Sequence, residues 1–421
     1  MQRLLIKGGR KLFGSIKISG SKNATLAILA STILSDKKII LENAPMVKDV
    51  ETMAKLLGFI GSDIIINKRK NIIIIKNNKK LKTFASYNLL KTMRAGILVL
   101  GPLLAKYKKA KVSLPGGCAI GSRPVNLHLE ALKKMGAEIR IKNGYILAKA
   151  NNGLRGNLIR FSKISVGATE NVLIAACYAQ GKTIMKNCAC EPEVKDLVNF
   201  LKKMGCNIHW TGKRSLEVVG VNKLLPTKHK IIFDRIEAGT YIIASALTRG
   251  KVKITNLDPS VMKSELSALN KMGLKFFKSK KMLIVKPASE IKSINLKTEP
   301  YPGFPTDLQA QIMVLMTMAK GISTITENIF ENRFMHVSEL NRMGADIIVK
   351  GNKAKIYGQQ QFNGAELMAT DLRASVSLVL AGLIGKNKTI VNRIYHLDRG
   401  YENLELKLSG CGASIKRLRN A

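Results

Sequence analysis

Cys118 has the neighbours of a reactive group. It lies in the stretch LPGGCAIGSRPVNLHLE, where Gly116, Gly117 and Gly121 surround it and Arg123 follows. A structural cysteine packs among apolar residues, whereas glycines leave the backbone loose and the thiol reachable. A thiol beside a guanidinium ionises more readily and can serve as a nucleophile or as a proton carrier. This stretch alone is equally compatible with an ordinary glycine loop that contains a cysteine.

Charged and hydroxyl side chains recur in polar turns that each open an apolar segment of helical length. The free N–H groups and the positive dipole end of a helix favour phosphate and carboxylate groups. One such side chain alone would be an ordinary cap or surface residue, but recurrence at equivalent positions indicates sites for anions. The residues concerned are Lys22, Arg94, Ser165, Asp307 and Arg373.

The same unit occurs six times along the chain. Segments such as LKKMGAEIR, LKKMGCNIH and LNRMGADII place a glycine between the end of a helix and an extended segment. These glycines follow one another at intervals of roughly 70 residues, and glycine suits a left-handed helix C-cap. Each unit is predicted to run helix, strand, helix, glycine and strand, which favours α/β modules grouped into domains over a solenoid. The glycines are Gly61, Gly136, Gly205, Gly273, Gly344 and Gly412.

Length and apolar content predict a globular protein of two domains. A chain of 421 residues exceeds one ordinary core, so two domains of roughly 200 residues are expected. The longest apolar run, AGILVLGPLLA, contains glycine and proline, and it is shorter than the roughly 20 residues of a membrane helix. The stretch MQRLLIKGGRKLFGSIKISG lacks the apolar region of a signal peptide. We therefore expect a cytoplasmic protein.

The cysteines predict reduced thiols rather than disulfides, because the chain shows no secretion signal. The pair in CAC could suggest a metal, but no second pair at zinc spacing follows, and the chain has only five histidines. No metal site is expected. The six cysteines are Cys118, Cys177, Cys188, Cys190, Cys206 and Cys411.

The chain is strongly basic, with 70 Lys and Arg against 28 Asp and Glu and a formal net charge of +42. Such a charge raises the hypothesis of nucleic-acid binding. However, the lysines are spread over the whole chain, and the aromatic residues that could stack on bases make up only 5% of it. The charge favours anionic ligands at a focused site without choosing among them.

Eight short segments match the pattern of one enzyme family. They are SGSKNA, KTMRA, LPGGCAIGSRPV-LH, SVGAT, FPTDLQAQ, FENRFMH, ATDLRAS and YHLDRGYE. In this order, and over residues 3–416, they closely resemble the UDP-N-acetylglucosamine 1-carboxyvinyltransferases, the enolpyruvyl transferases that start peptidoglycan synthesis.

The resemblance implies an α/β fold of two inverted α/β barrel-like domains, each made of three repeated mixed modules. One domain would span residues 22–232 and carry the Cys118 loop. The other would span residues 233–421 together with 1–21, and the active-site cleft would lie between them. Two chain crossings would form a hinge, and substrate would close the cleft.

The resemblance also implies the reaction. The enolpyruvyl group of phosphoenolpyruvate moves to the 3-hydroxyl of UDP-N-acetylglucosamine, and phosphate leaves by addition and elimination. This chemistry needs a proton for the vinyl carbon, a base for the hydroxyl, cations for the phosphate and carboxylate, and exclusion of water. No metal or organic cofactor is implied. The implied partners are the two small-molecule substrates, with no membrane and no specific nucleic acid, and the oligomeric state stays undetermined.

Residue roles are implied by position within the matching segments. Cys118 resembles the general acid that protonates the methylene carbon and that the antibiotic fosfomycin alkylates. Asp307 resembles the base at the sugar hydroxyl, and Lys22 completes the catalytic group. Phosphoenolpyruvate binding is implied for Lys22, Asn23, Arg123, Arg373 and Arg399. UDP-sugar binding is implied for Arg94, Arg123, Pro124, Val125, Asn126, Leu127, Lys163, Ile164, Ser165, Val166, Asp307 and Ile329.

Some acidic residues have a simpler interpretation. Asp371 lines the same cleft in the family, but its main role could equally be to cap its helix and orient Arg373. Glu191 and Glu193, in CEPE, are compatible with a structural role alone.

One residue departs from the family pattern. The motif RPVDLH usually has aspartate where this chain has Asn126. Asparagine both donates and accepts hydrogen bonds, so it can still pair with the N–H and carbonyl groups of uracil while it loses a charge. We expect a modest change in UDP-sugar affinity, on the order of 1 kcal/mol.

Two other functions stay open. The first is 3-phosphoshikimate 1-carboxyvinyltransferase, which shares the fold and the chemistry. Its lysine motif usually has serine after the lysine, where this chain has Asn23, and it lacks the Pro-Gly-Gly-Cys loop. The second is a non-catalytic basic protein that binds nucleic acid, which the net charge keeps open.

Overall fold

The part of the chain that the structure describes forms six similar α/β modules. The structure is a computed structural model, and it describes residues 2–77, 80–116, 121 and 125–418. Cys118, Arg123 and Pro124 lie outside the described residues, so the roles expected of them stay predictions.

The helices and strands alternate along the whole described chain. The helices are α1 (Lys22–Ser31), α2 (Lys48–Ile60), α3 (Tyr87–Leu90), α4 (Leu100–Tyr107), α5 (Asn126–Lys134), α6 (Val166–Ala176), α7 (Pro192–Lys203), α8 (Arg235–Leu247), α9 (Lys263–Lys271), α10 (Gln309–Met316), α11 (Val337–Arg342), α12 (Leu372–Ile384) and α13 (Leu404–Ser409). The strands are β1 (Arg3–Lys7), β2 (Phe13–Lys17), β3 (Ile39–Glu42), β4 (Ser62–Asn67), β5 (Ile72–Asn77), β6 (Phe84–Ala85), β7 (Lys109–Ser113), β8 (Glu138–Lys142), β9 (Tyr145–Lys149), β10 (Leu158–Arg160), β11 (Lys182–Lys186), β12 (Asn207–Gly212), β13 (Ser215–Val219), β14 (Thr227–Lys230), β15 (Lys251–Thr255), β16 (Lys275–Ser279), β17 (Met282–Lys286), β18 (Asn295–Lys297), β19 (Ile322–Thr326), β20 (Asp346–Lys350), β21 (Lys353–Tyr357), β22 (Glu366–Met368), β23 (Lys388–Asn392) and β24 (Ser414–Leu418).

The modules group into two units. The first unit comprises residues 20–116 and 125–232, and the second comprises residues 2–19, Gly121 and 233–418. Each unit contains three four-stranded sheets, described by the order of their strands. In the first unit the strand orders are β14-β3-β5-β4, β6-β7-β9-β8 and β10-β11-β13-β12. In the second unit they are β16-β17-β15-β2, β18-β19-β21-β20 and β22-β23-β1-β24.

Every sheet is assembled from the same parts. A short edge strand pairs parallel to a central strand, as β10 does with β11. Two antiparallel strands follow, which form a hairpin such as β12–β13 in five of the sheets and are β1 and β24 in the sixth. The sequence predicted the two helices, the central strand and the glycine, and the α/β class is confirmed. It predicted one strand after the glycine, where five of the six modules have two. After Gly412 one strand follows, β24, and it pairs with β1. The turn between β8 and β9 shows why two strands form: Asn143 and Gly144 both have positive φ, 51° and 74°, which is the signature of a tight hairpin turn.

The glycine after the second helix of each module is left-handed. The φ angles of these six residues run from +93° at Gly136 to +119° at Gly61. Residues with a Cβ rarely adopt this conformation, and it lets the chain leave the helix and enter the strand within one residue. The prediction of a glycine C-cap is confirmed.

Distant strands complete both units. In the first unit, β14 pairs parallel with β3, so that Thr227 lies opposite Ile39. In the second unit, β1 lies between β23 and β24, with Leu4 opposite both Val391 and Arg417. Strand β2 pairs parallel with β15. The first strands of the chain are therefore integral parts of sheets built from its last third.

The first helix of each module is buried within its unit. Every residue of α8, from Arg235 to Leu247, is buried, because a helix that is apolar around most of its circumference must be covered on all sides. In the second unit α8, α10 and α12 pack on one another, and in the first unit α6 packs on α1 and α4. The polar turns that open these helices carry most of the predicted site residues. Among the described residues, no helix is long and apolar enough to cross a membrane.

Candidate active site

Lys22 opens α1 in the first unit. Ser21 caps this helix, since its hydroxyl accepts the Ala24 N–H at 3.4 Å. The Lys22 ammonium lies 3.2 Å from the Asp49 carboxylate, and their side chains are only 12% and 6% exposed. Charges so shielded from water interact more strongly than surface pairs do. Asn23 follows on the first turn of α1 and is half-buried.

Arg94 begins the short 3-10 helix Arg94–Val99. Its guanidinium donates to the Gly116 carbonyl at 3.2 Å. Burial, aided by the positive charge of Arg94, lowers the pKa of His128 to about 4, so this imidazole is neutral near pH 7. The His128 Nδ1 lies 3.0 Å from Asn171 Nδ2, which makes Nδ1 the acceptor of that hydrogen bond.

Three residues expected to bind the UDP-sugar lie where α5 begins. Val125 precedes the helix, and Asn126 and Leu127 are its first residues. The Asn126 side chain is exposed, and its amide donates to the Glu130 carboxylate at 3.4 Å. An aspartate here could not make that hydrogen bond, because two carboxylates would meet. The Asn126 side chain therefore makes a hydrogen bond within its own helix that the usual aspartate could not make.

Four further residues expected at the UDP-sugar site lie where α6 begins. Lys163 is exposed, and Ile164, Ser165 and Val166 are half-buried. The Ser165 hydroxyl accepts the Ala168 N–H at 3.3 Å and caps the helix. The positive end of a buried helix beside an exposed lysine suits a diphosphate.

Asp307 in the second unit is held between two arginines. Its Oδ1 accepts from Arg333 Nη2 at 2.9 Å, and its Oδ2 accepts from Arg373 Nη2 at 2.8 Å. Both arginine side chains are buried, whereas that of Asp307 is 27% exposed. Arg333 also donates to the Thr306 carbonyl at 3.2 Å. Two guanidiniums favour the ionised carboxylate, and a ligand can still reach it.

Arg373 stays charged although it is buried. Burial alone would lower the pKa of its guanidinium, but the charge of Asp307, the hydrogen bond to it and the electrostatic effects of Tyr401 and Asp234 together raise that pKa. The other end of the guanidinium donates to the Tyr401 hydroxyl at 3.2 Å. Arg373 therefore connects an accessible carboxylate to a buried hydroxyl.

Ile329 is positioned by its backbone. Its N–H donates to Glu327 Oε1 at 2.8 Å, and the Phe330 N–H donates to the same oxygen at 3.1 Å. The other oxygen of Glu327 accepts from the Thr306 hydroxyl at 3.0 Å. Glu327 thereby ties the turn at Ile329 to the residue that precedes Asp307.

Asp371 caps α12, where its Oδ1 accepts the backbone N–H groups of Arg373 and Ala374 at 2.8 and 3.2 Å. This geometry agrees with the simpler role considered for it from the sequence. Arg399 is half-buried and ends the 3-10 helix Leu397–Arg399.

Sequence reasoning did not single out Arg333, Gln311 or Tyr401, which contact Asp307 or Arg373. All three lie in the segments FENRFMH, FPTDLQAQ and YHLDRGYE, which carried the family resemblance. The sequence signal for these three residues was therefore their place in segments that match the family. Spacing alone could not say which of these side chains would meet.

Five further thiols and the carboxyl group of Glu170 are buried in the described part of the chain. The thiols of Cys177, Cys188, Cys190, Cys206 and Cys411 are free and buried, and burial raises the pKa of Cys188 to about 12. Burial, and then the charges of Glu193 and Glu191, raise the pKa of Glu170. These groups suit structural roles. Within the described residues no group of three or more His, Cys, Asp or Glu has the geometry to hold a metal ion.

Comparison with known proteins identifies the family. Residues 6–408 match the family described as EPSP synthase (3-phosphoshikimate 1-carboxyvinyltransferase). A UDP-N-acetylglucosamine 1-carboxyvinyltransferase of Pelagibacter ubique (strain HTCC1062) is 60% identical over 418 residues, which are 99% of this chain and 100% of the relative. The enzyme of the same name from Rickettsia felis is 52% identical over 420 residues, again 99% and 100% of the two chains. This chain belongs to the UDP-N-acetylglucosamine 1-carboxyvinyltransferase family.

Solved structures confirm the enolpyruvyl transferase fold of this family member. The enolpyruvyl transferase NikO from Streptomyces tendae superposes with a TM-score of 0.88 at 21% identity, over 100% of this chain and 99% of its own. An EPSP synthase from Acinetobacter baumannii superposes with a TM-score of 0.77 at 17% identity, over 100% of both chains.

The two alternative functions are not favoured. Relatives that are 52% and 60% identical over nearly the whole chain carry the UDP-sugar name, whereas the solved EPSP synthase shares 17% of residues. Family membership also makes the chain a transferase that acts on small molecules. The fold and the family are thus accounted for without a nucleic-acid partner, although the chain is strongly basic.

Proposed function

We propose that this protein transfers the enolpyruvyl group of phosphoenolpyruvate to the 3-hydroxyl of UDP-N-acetylglucosamine and releases phosphate, the first committed step of peptidoglycan synthesis. The observation that carries the proposal is the identity of 60% over 418 residues with a relative of that name. In this proposal the protein works in the cytoplasm on two small molecules and uses groups from both units.

Asp307 is proposed as the base that takes the proton of the sugar hydroxyl. Its carboxylate is oriented at both oxygens by arginines, at 2.8 and 2.9 Å, and its side chain is 27% exposed. Fixed orientation lowers the entropic cost of reaching the reactive geometry. The two arginines hold both oxygens, so the carboxylate is aligned with the hydroxyl as the new C–O bond forms.

The cations of the first unit are proposed to bind the anionic parts of the substrates. Lys22 lies at the positive end of α1, where a phosphate or carboxylate is favoured. Its neighbour Asp49, 3.2 Å away, holds the ammonium in place. Asn23 and Arg123 are also proposed to bind phosphoenolpyruvate, together with Arg373 and Arg399 of the second unit.

The N-terminal turns of α5 and α6 are proposed to bind the UDP-sugar. Asn126 would meet the uracil, and Lys163 with the Ser165 turn would meet the diphosphate. Arg94, Pro124, Ile164 and Ile329 complete the proposed site.

Cys118 is proposed as the acid that protonates the methylene carbon of phosphoenolpyruvate. Its thiol gives a proton to that carbon as the sugar oxygen attacks C2. In the second half of the reaction the Cys118 thiolate takes a proton back from the same carbon, the bond from C2 to the phosphate oxygen breaks, and the C2–C3 double bond forms again as an enol ether. The phosphate leaves with the proton that Asp307 took from the sugar hydroxyl. Atoms balance across the two steps, and neither consumes a cofactor.

Phosphate release tests the proposal. Purified protein and phosphoenolpyruvate would be assayed with UDP-N-acetylglucosamine, with shikimate 3-phosphate and with neither, each with and without fosfomycin. We expect release only with the UDP-sugar and its loss with fosfomycin. Mass spectrometry should show that Cys118→Ser takes up no fosfomycin, whereas Cys411→Ala, which lacks a buried thiol elsewhere, should still be alkylated. Release with shikimate 3-phosphate, or with neither acceptor, would contradict the proposal.

A further inference from the structure

Tyr401 is the centre of a buried hydrogen-bond network behind Asp307. Its hydroxyl lies 3.2 Å from Arg373 Nη1, 3.2 Å from Gln311 Nε2 and 2.9 Å from Thr240 Oγ1. Each of these four residues is at most 5% exposed. A polar cluster so well enclosed is rigid when its groups are satisfied.

The direction of these hydrogen bonds follows from the chemistry of each group. The Thr240 hydroxyl donates its one hydrogen to the Ile236 carbonyl at 2.8 Å. Tyr401 must then donate to Thr240, because a hydroxyl has a single hydrogen. Arg373 can only donate, so the tyrosine oxygen accepts from it. The Gln311 amide nitrogen has two hydrogens: one goes to the Asp307 carbonyl, and the other is shared between the Tyr401 and Thr240 oxygens, each 3.2 Å away. The Tyr401 hydroxyl thus has its one donor and two acceptor positions in use.

Two connections lead from Tyr401 to Asp307. One runs through the guanidinium of Arg373, whose other end binds the carboxylate at 2.8 Å. The other runs through Gln311, whose amide nitrogen also donates to the backbone carbonyl of Asp307 at 3.0 Å. The hydroxyl therefore restrains both the side chain and the backbone of that residue, without contacting either.

We propose that Tyr401 is a positioning residue that fixes Arg373, and through it Asp307, in the orientation needed for transfer. This inference rests on the proposed function, in which Asp307 acts on the sugar hydroxyl. Burial raises the pKa of the Tyr401 hydroxyl, which keeps it protonated as the network requires.

Tyr401→Phe tests the hydroxyl alone. The ring stays, together with its contact to Arg373, whose Cζ lies 5.7 Å from the ring centroid. We expect kcat to fall about tenfold, since misplacement of a reacting group slows catalysis steeply, while KM for both substrates changes less than about threefold. A purely structural role would lower the thermal midpoint without this split between kcat and KM.

Tyr241→Phe is the matched control. Tyr241 is equally buried in the same unit, at 1% exposure, and its hydroxyl has no hydrogen-bond partner within the described residues. Removal of the Tyr241 hydroxyl should leave kcat and KM unchanged. If Tyr401→Phe does not fold, Thr240→Val removes the group to which Tyr401 donates, and it should lower kcat in the same way but less.

A double variant tests whether Tyr401 acts through Asp307. In an Asp307→Asn background, adding Tyr401→Phe should change the residual rate by less than about twofold, because the group it orients is already lost. Wild-type kinetics in Tyr401→Phe, or a further tenfold loss in the double variant, would overturn the inference. No turnover by the wild-type protein would instead overturn the proposed function.

Discussion

The two units share one module but hold their charged groups differently. In the second unit Asp307 is gripped by two buried arginines, and one of these is anchored again by Tyr401. In the first unit Lys22 meets a carboxylate at 3.2 Å, and Arg94 donates to a backbone carbonyl. The second unit thus fixes a carboxylate by surrounding it with positive charge, whereas the first presents cations at helix ends. Equivalent turns of a repeated fold can therefore carry opposite electrostatic tasks.

The largest expected effect comes from removing the carboxylate of the second unit. Asp307→Asn should lower kcat by about 10³-fold, because loss of a positioned base typically costs 10²–10⁴-fold. The measurement is phosphate release at saturating substrates. Asp346→Asn, an exposed aspartate that begins β20, is the control and should behave as wild type. A loss below tenfold in Asp307→Asn would mean that the two arginines hold a structural carboxylate.

The next effect compares two buried histidines, one in each unit. Burial lowers the pKa of His128 and of His336 to about 4, below the value near 6.5 of an unfolded histidine. The unfolded chain therefore binds protons first as the pH falls. The contribution of the two neutral imidazoles to the free energy of unfolding is complete above pH 6.5, and it is lost as the pH falls toward 4. As the pH falls from 6.5 to 5, each histidine should lower the free energy of unfolding by roughly 2 kcal/mol.

His128→Gln measures this cost, since its amide can accept from Asn171 but does not titrate. The free energy of unfolding would be compared with wild type at pH 7 and at pH 5. We expect the variant to lose less stability on acidification by roughly 2 kcal/mol. His209→Gln, an exposed histidine of the same unit, should keep the wild-type dependence. Equal acid sensitivity of His128→Gln and wild type would show that His128 is already charged in the folded protein.

The smallest effect tests the departure at Asn126. Asn126→Asp would replace a hydrogen bond to Glu130, now 3.4 Å long, with two neighbouring carboxylates on α5. We expect UDP-sugar affinity to change by about 1 kcal/mol with little change in kcat. Calorimetric titration with UDP-N-acetylglucosamine measures it. Unaltered affinity would show that the amide has no part in uracil binding.

The sequence predicted the repeat well because the repeat is local. The glycine at each helix end and the polar turn before each apolar helix can be recognised within a few residues, and the structure has both. The second strand of each hairpin was missed, although Asn143–Gly144 is a strong turn signal that was available.

The network around Asp307 could not be predicted in the same way. Asp307 is 66 residues from Arg373 and 26 from Arg333 in sequence, and Tyr401 is 161 from Thr240. Which of several arginines meets a given carboxylate depends on how α8, α10 and α12 pack. The family resemblance named Asp307 and Arg373, but their shared anchor at Tyr401 became visible only with the side chains in place.

The place of β1 between β23 and β24 sets an order of events during synthesis. Leu4 leaves the ribosome early, but its partners Val391 and Arg417 are made only after almost the whole described chain. The first unit has all its strands by Lys230 and can fold while translation continues. Strands β1 and β2 stay unpaired until their partner strands are made, and an unpaired β-strand is prone to aggregation. The basic residues within and between these strands keep that segment charged and solvated. They are Arg3, Lys7, Arg10, Lys11 and Lys17.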